Sequence, residues 1–175
     1  MKNELSELKI RISQLSEGIH NYRFLSQPSQ LGLAEHFLEN IEINAVLDKT
    51  QRQFYLTTTV STKAAFSCDR CADEFVKDIQ TSYGIAYAFG ELTDDVPPDD
   101  ELRLIHEGTP FLDITEDVRQ VLLLSVPMKV LCTEDCKGLC PKCGINLNKQ
   151  SCDCREEIAD SRWEDLRKLI IENNN

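Results

Sequence analysis

Eight cysteines stand at positions 68, 71, 132, 136, 140, 143, 152 and 154. Thiolates at such close spacing can ligate a soft divalent metal, exchange disulfides, or hold an iron–sulfur cluster. The chain opens Met-Lys-Asn-Glu-Leu-Ser-Glu-Leu, with glutamates where a secretory signal needs an apolar run, so paired cysteines read as metal ligands before disulfides. In Leu139-Cys140-Pro141-Lys142-Cys143-Gly144 the Cys-x-x-Cys turn ends in glycine, the form of a zinc knuckle. Backbone amides inside such a turn point at the thiolates, and glycine takes the positive φ that follows the second ligand. Cys68-Asp69-Arg70-Cys71 is a second such turn, 60 residues upstream of Cys132-Thr133-Glu134-Asp135-Cys136.

Four pairs form two four-cysteine sites in three ways. The favoured grouping is Cys140, Cys143, Cys152 and Cys154 as one site, with Cys68, Cys71, Cys132 and Cys136 as the other. The first is local in sequence and the second staples an upstream sheet to the tail. A rival grouping joins Cys132 to Cys143 and pairs Cys68 and Cys71 with Cys152 and Cys154. Two Zn2+ ions are the expected cofactors; four thiolates around each dication leave a net −2 per site.

Other chemistries fit less well. Cys136-x-x-x-Cys140-x-x-Cys143 matches the cluster spacing of radical S-adenosylmethionine enzymes, but no long βα series surrounds it. Neither Cys-x-x-Cys turn opens a helix in a βαβ setting, as a thiol–disulfide oxidoreductase requires. His20, His36 and His106 share no ligand spacing, and no phosphate loop or nucleophile elbow is present. The expectation is therefore a protein with no catalytic residues and no small-molecule substrate.

With 19 basic and 30 acidic side chains the formal charge is −11, which repels phosphate backbones at long range. Six carboxylates and two prolines between Glu91 and Glu101 read as a solvated loop. Lys129, Lys137, Lys142 and Lys149, beside Glu134 and Asp135, give the cysteine-rich tail a local positive balance. They are the candidate contacts for RNA or a partner. The longest apolar run, Val121 to Val126, is far below the ~20 residues of a membrane span, so a cytoplasmic location without membrane contact is expected.

The elements that must position the cysteines are mainly extended. Leu8 to Ser13 alternates apolar and polar residues, and Ile19 to Leu25, Ile41 to Leu47, Gln53 to Phe66 and Phe75 to Phe89 carry strand compositions. The spacing predicts a short helix from Pro28 through Glu39, a short strand at Leu102 to His106, and a helix capped by Thr115. That helix carries a Val118, Val121, Leu122 and Ser125 stripe and ends at Pro127. A last helix is expected from Asp160 or Ser161 to Ile171, docked by Trp163, with Arg162, Arg167 and Lys168 offset by Glu164 and Asp165. The fold class is α+β, a mainly antiparallel sheet with a few short helices and a zinc-ribbon-like tail. The expected organisation is a sheet domain over 1–130, carrying the Cys68/Cys71 turn, and a cysteine-rich segment with a helix over 131–175, packed as one unit.

Cys68-Asp69-Arg70-Cys71, Cys132 to Cys136, Gly138 to Gly144, Asn146-Leu147-Asn148, Cys152-Asp153-Cys154 and Arg162-Trp163, in that order, resemble the YceD family of large ribosomal RNA subunit accumulation proteins. The resemblance implies a non-enzymatic factor for 23S ribosomal RNA accumulation and large-subunit biogenesis, with ribosomal RNA or a large-subunit ribosomal protein as partner. The RNA link comes from the resemblance alone. The alternative is a zinc-dependent protein–protein adaptor without a ribosomal role.

Overall fold

The computed structural model describes residues 8–34, 36–90 and 102–154. The expected loop at 91–101 and the expected helix of 160–171 with Trp163 lie outside them. Contacts divide the chain into two compact units: Met1–Asp69 with Asp73–Cys132, and Arg70–Ala72 with Thr133–Asn175.

In the first unit, β1 (Lys9–Arg11), β2 (Gly18–Ser26), β3 (Ile41–Lys49), β4 (Gln53–Ser67), β5 (Glu74–Phe89), β6 (Leu102–Ile105) and β7 (Phe111–Asp113) precede a helix, α1 (Thr115–Ser125). Five strands form one sheet in the order β2-β3-β4-β5-β6, antiparallel except for the parallel β5–β6 pair. β1 and β7 form a separate antiparallel ribbon.

Period-two patterning sends one face of the large sheet inward. Ile43, Ala45 and Leu47 of β3 lie in register with Val60, Thr58 and Leu56 of β4, all buried, and Ile41 is buried at the start of β3. α1 contributes Val118 and Leu122, and the ribbon adds Ile10 and Leu112. On the opposite face Ile19, Leu25 and Tyr55 stay exposed. The Tyr55 ring lies over Gly84, where a Cβ would collide with its hydroxyl. At the end of the sheet, Arg103 of β6 grips Asp117 of α1 through both guanidinium nitrogens, at 2.8 and 2.5 Å.

Two local expectations are corrected. Pro28 opens only a single 3-10 turn, Pro28–Leu31, rather than a helix to Glu39. Gly32 takes φ 61° and ends it, and Phe37 instead bridges to Ala64 of β4. Thr115 does not cap α1: it is the first helical residue, and its hydroxyl accepts the Leu8 N–H at 2.8 Å. Ile114 stands at the N-cap without a side-chain cap, and the Asp113 carboxylate accepts the Thr115 N–H at 3.0 Å. Strand β7 carries no sequence signal, since three residues give too short a window for any periodicity.

Candidate metal centres

The β4–β5 hairpin closes through residues 68–73. The Cys68 N–H donates to the Asp73 carbonyl at 2.9 Å, and Ser67 faces Glu74 in the ladder. The second turn repeats this at the same offsets: the Cys140 N–H donates to the Ile145 carbonyl at 2.8 Å, and Leu139 faces Asn146. After its second cysteine each turn goes left-handed, at Ala72 with φ 58° and at Gly144 with φ 72°. That residue reverses the chain and lets amides inside the turn face the sulfurs. Two Cys-x-x-Cys sequences thus fold into one local structure.

The structure brings the cysteines together in the favoured grouping. The sulfurs of Cys68, Cys71, Cys132 and Cys136 all lie within 4.8 Å of one another, as do those of Cys140, Cys143, Cys152 and Cys154. A tetrahedral zinc with Zn–S bonds of ~2.3 Å sets its sulfurs about 3.8 Å apart, a spacing compatible with either set. Either tetrad could hold a metal. Among the described residues no histidine joins them.

Residues around the sulfurs support this role. The Asn148 side chain donates from Nδ2 to the Cys136 sulfur at 3.2 Å while its Oδ1 accepts the Lys137 N–H at 2.8 Å. Its own N–H donates to Asn146 Oδ1 at 2.9 Å, so both asparagines are held in place. Arg70 donates from Nη1 to the Cys136 carbonyl at 2.8 Å, and its own carbonyl accepts the Leu139 N–H at 3.0 Å. Gly138, at φ 77°, lies so close that a Cβ would stand 3.0 Å from that carbonyl. Asp69 exchanges two hydrogen bonds with the Val130 backbone, its N–H donating at 2.9 Å and its carboxylate accepting at 2.6 Å. Outer groups of this kind orient ligands and tune their basicity. In the sequence Asn146 and Asn148 are only part of a motif, and nothing there points Asn148 at Cys136.

The tetrads differ in burial. Cys68, Cys71 and Cys136 are 2–3 % exposed and Cys132 is half-buried. In the second set Cys140 is buried and Cys152 half-buried, whereas Cys143 and Cys154 are exposed. Without a cation the second set holds its protons unevenly. Backbone N–H groups of Cys143 and Lys142 hold the Cys140 thiol down to about 6, while hydrogen bonding with Cys143 and burial push Cys154 up to about 12. The amides that were expected to face the thiolates do so at Cys140.

The four lysines are exposed. Lys137 and Lys149 line one cleft of about 420 Å³ with Leu147, Asn148, Gln150 and Cys152. Lys142 sits within the second turn, and Lys129 belongs to the first unit. No helix among the described residues is long and apolar enough to cross a membrane.

A mainly antiparallel sheet with two tetrads of cysteine, each nucleated by a Cys-x-x-Cys turn, defines a β-rich protein with candidate tetrathiolate centres. Residues 56–170 match the family model for the large ribosomal RNA subunit accumulation protein YceD, and the chain belongs to that family. It is 24 % identical over 147 residues to an uncharacterised protein of Mycobacterium tuberculosis (strain H37Rv), covering 82 % of this chain and 70 % of the relative. It is 26 % identical over 131 residues to the uncharacterised YlbN of Bacillus subtilis, covering 74 % of each. The chloroplastic large ribosomal RNA subunit accumulation protein YCED homolog 1 of Arabidopsis thaliana is 40 % identical over 58 residues, 33 % of this chain and 18 % of the plant protein. No solved structure matches the chain.

Proposed function

We propose that this protein is a non-enzymatic, zinc-stabilised factor for accumulation of 23S ribosomal RNA and biogenesis of the large ribosomal subunit, acting in the cytoplasm. The observation that carries the reading is the family match over residues 56–170, joined by the role for which the plant homologues are named. Zinc is favoured as the metal because four thiolates with no other ligand type suit a soft, redox-silent dication. Such a site is closed, with no open position for substrate or water, which supports a structural rather than a catalytic role. The ion would be held by Cys68, Cys71, Cys132 and Cys136 in one site and by Cys140, Cys143, Cys152 and Cys154 in the other. The partner is ribosomal RNA or a large-subunit ribosomal protein. For RNA, the cleft between Lys137 and Lys149 is the favoured contact, since the chain as a whole repels phosphate.

The test is the ratio of 23S to 16S ribosomal RNA, with precursors resolved, in cells depleted of the protein. A selective fall in 23S, restored by the wild-type chain, supports the reading. An unchanged ratio overturns it and leaves the adaptor reading.

A further inference from the structure

We propose that the tetrad Cys140, Cys143, Cys152 and Cys154 is a thiol-oxidation site, at which a peroxide links Cys143 to Cys154 and releases the metal, while the other tetrad stays inert. The proposal rests on the metal reading above and goes beyond it by giving the two centres different chemistry.

Three observations carry it. Access differs: Cys143 and Cys154 are exposed, whereas Cys68, Cys71 and Cys136 are 2–3 % exposed. Oxidation of a thiolate requires the oxidant to reach sulfur, so burial protects the first set and leaves the second open. Proximity is already met, since the Cys143 and Cys154 sulfurs lie within 4.8 Å of each other. A disulfide needs ~2.05 Å between sulfurs, so closure requires only a short movement. Both residues can make that movement. Cys143 sits in a turn ahead of Gly144, and Cys154 lies in chain outside any strand or helix. Cys71, by contrast, is held in the hairpin between two strands of 15 and 16 residues.

The chemistry balances with hydrogen peroxide as oxidant. The Cys143 thiolate attacks one peroxide oxygen; an S–O bond forms, the O–O bond breaks, and the departing hydroxide takes a proton to become water. The Cys154 thiolate then displaces the second hydroxide from the sulfenic sulfur, an S–S bond forms, and a second water leaves with a second proton. Two thiolates lose two electrons and peroxide gains them. Cys140 and Cys152 remain as thiolates, too few to retain the ion.

The experiment uses the full chain purified without chelator. Its zinc content is measured first, and a value well below two per chain would contradict the metal reading alone. Hydrogen peroxide is then added with a chromogenic zinc chelator present, and disulfides are mapped by mass spectrometry. The expected result is rapid release of one equivalent, a Cys143–Cys154 disulfide, and reversal by a thiol reductant with added zinc. Simultaneous release of both equivalents, or a first disulfide among Cys68, Cys71, Cys132 and Cys136, would overturn the proposal. A second measurement stands without metal: alkylation of the apo-protein should modify the exposed Cys143 about tenfold faster than the buried Cys68 and Cys71. Equal rates would sink it. Because Cys154→Ser removes a ligand as well as the resolving thiol, sulfenic acid trapped at Cys143 in that variant is the informative product. Its absence counts against the assigned step.

Discussion

Two positions show how one residue sets the quality of a turn. Ala72 and Gly144 occupy the same left-handed place after a Cys-x-x-Cys pair, yet only glycine adopts it without strain. Ala72→Gly should therefore raise stability, by up to ~1 kcal/mol, and Gly144→Ala should lower it by ~1 kcal/mol. Nothing stands within 4 Å of a Cβ at Gly144, so the loss there is conformational and not steric. Thermal unfolding of the two variants, metal-loaded, checks both signs. Asn148 is the other telling residue, because its Nδ2–H meets the Cys136 sulfur. Asn148→Leu should weaken metal retention by the first tetrad roughly 10–100-fold, the usual effect of losing an outer-shell partner. Competition with a graded chelator series measures it, and unchanged retention would assign Asn148 to the Lys137 amide alone.

Among the elements, α1 is tied to β6 by the Arg103–Asp117 pair, in which Asp117 is 9 % exposed and the arginine 45 %. Removing the acid leaves a half-exposed guanidinium, so Asp117→Ala should cost about 1–2 kcal/mol, read by denaturant unfolding. The same inner surface carries Tyr83 and Tyr87 of β5, whose hydroxyls are buried. Burial, with the Asp117 carboxylate adding, raises Tyr87 to about 12, and burial raises Tyr83 as well. A tyrosine whose folded value is raised stabilises the fold fully below the unfolded value near 10; that contribution is lost as pH climbs through the folded value. Stability should fall between pH 10 and 12, and less steeply in the Tyr83→Phe/Tyr87→Phe variant. The long strands were legible because β-branched and aromatic residues repeat at period two, so Phe54, Leu56, Thr58 and Val60 face inward as alternation predicts. What the sequence hid depends on contacts distant along the chain. Thr115 looks like a cap until Leu8, 107 residues away, claims its hydroxyl. Cys-x-x-Cys spacing is local and readable, and the favoured grouping of Cys68 and Cys71 with Cys132 and Cys136 is the one the sulfurs adopt; the Asn148 contact with Cys136 is not readable, because no local pattern specifies it.

At the scale of the molecule, the formal charge of −11 and the sheet order act together. β2 is the last strand on its side of the sheet, nine residues paired only to β3 among the described residues, with no proline and Arg23 as its one charge. Ile19 and Leu25 stand exposed along it at 68 % and 64 %. Natural edges of that length are commonly blunted by lysine, proline or a bulge.

Such an edge leaves net charge as the chief barrier to strand-to-strand association between copies. At neutral pH the net charge of −11 opposes association of copies; as pH falls into the carboxylate range that repulsion fades, while the outer edge of β2 has no strand beside it among the described residues. Light scattering should rise steeply on acidification and more so at high salt, before any loss of circular dichroism. Leu25→Lys, which plants a charge on the edge, should delay that rise; if it does not, association runs through another surface.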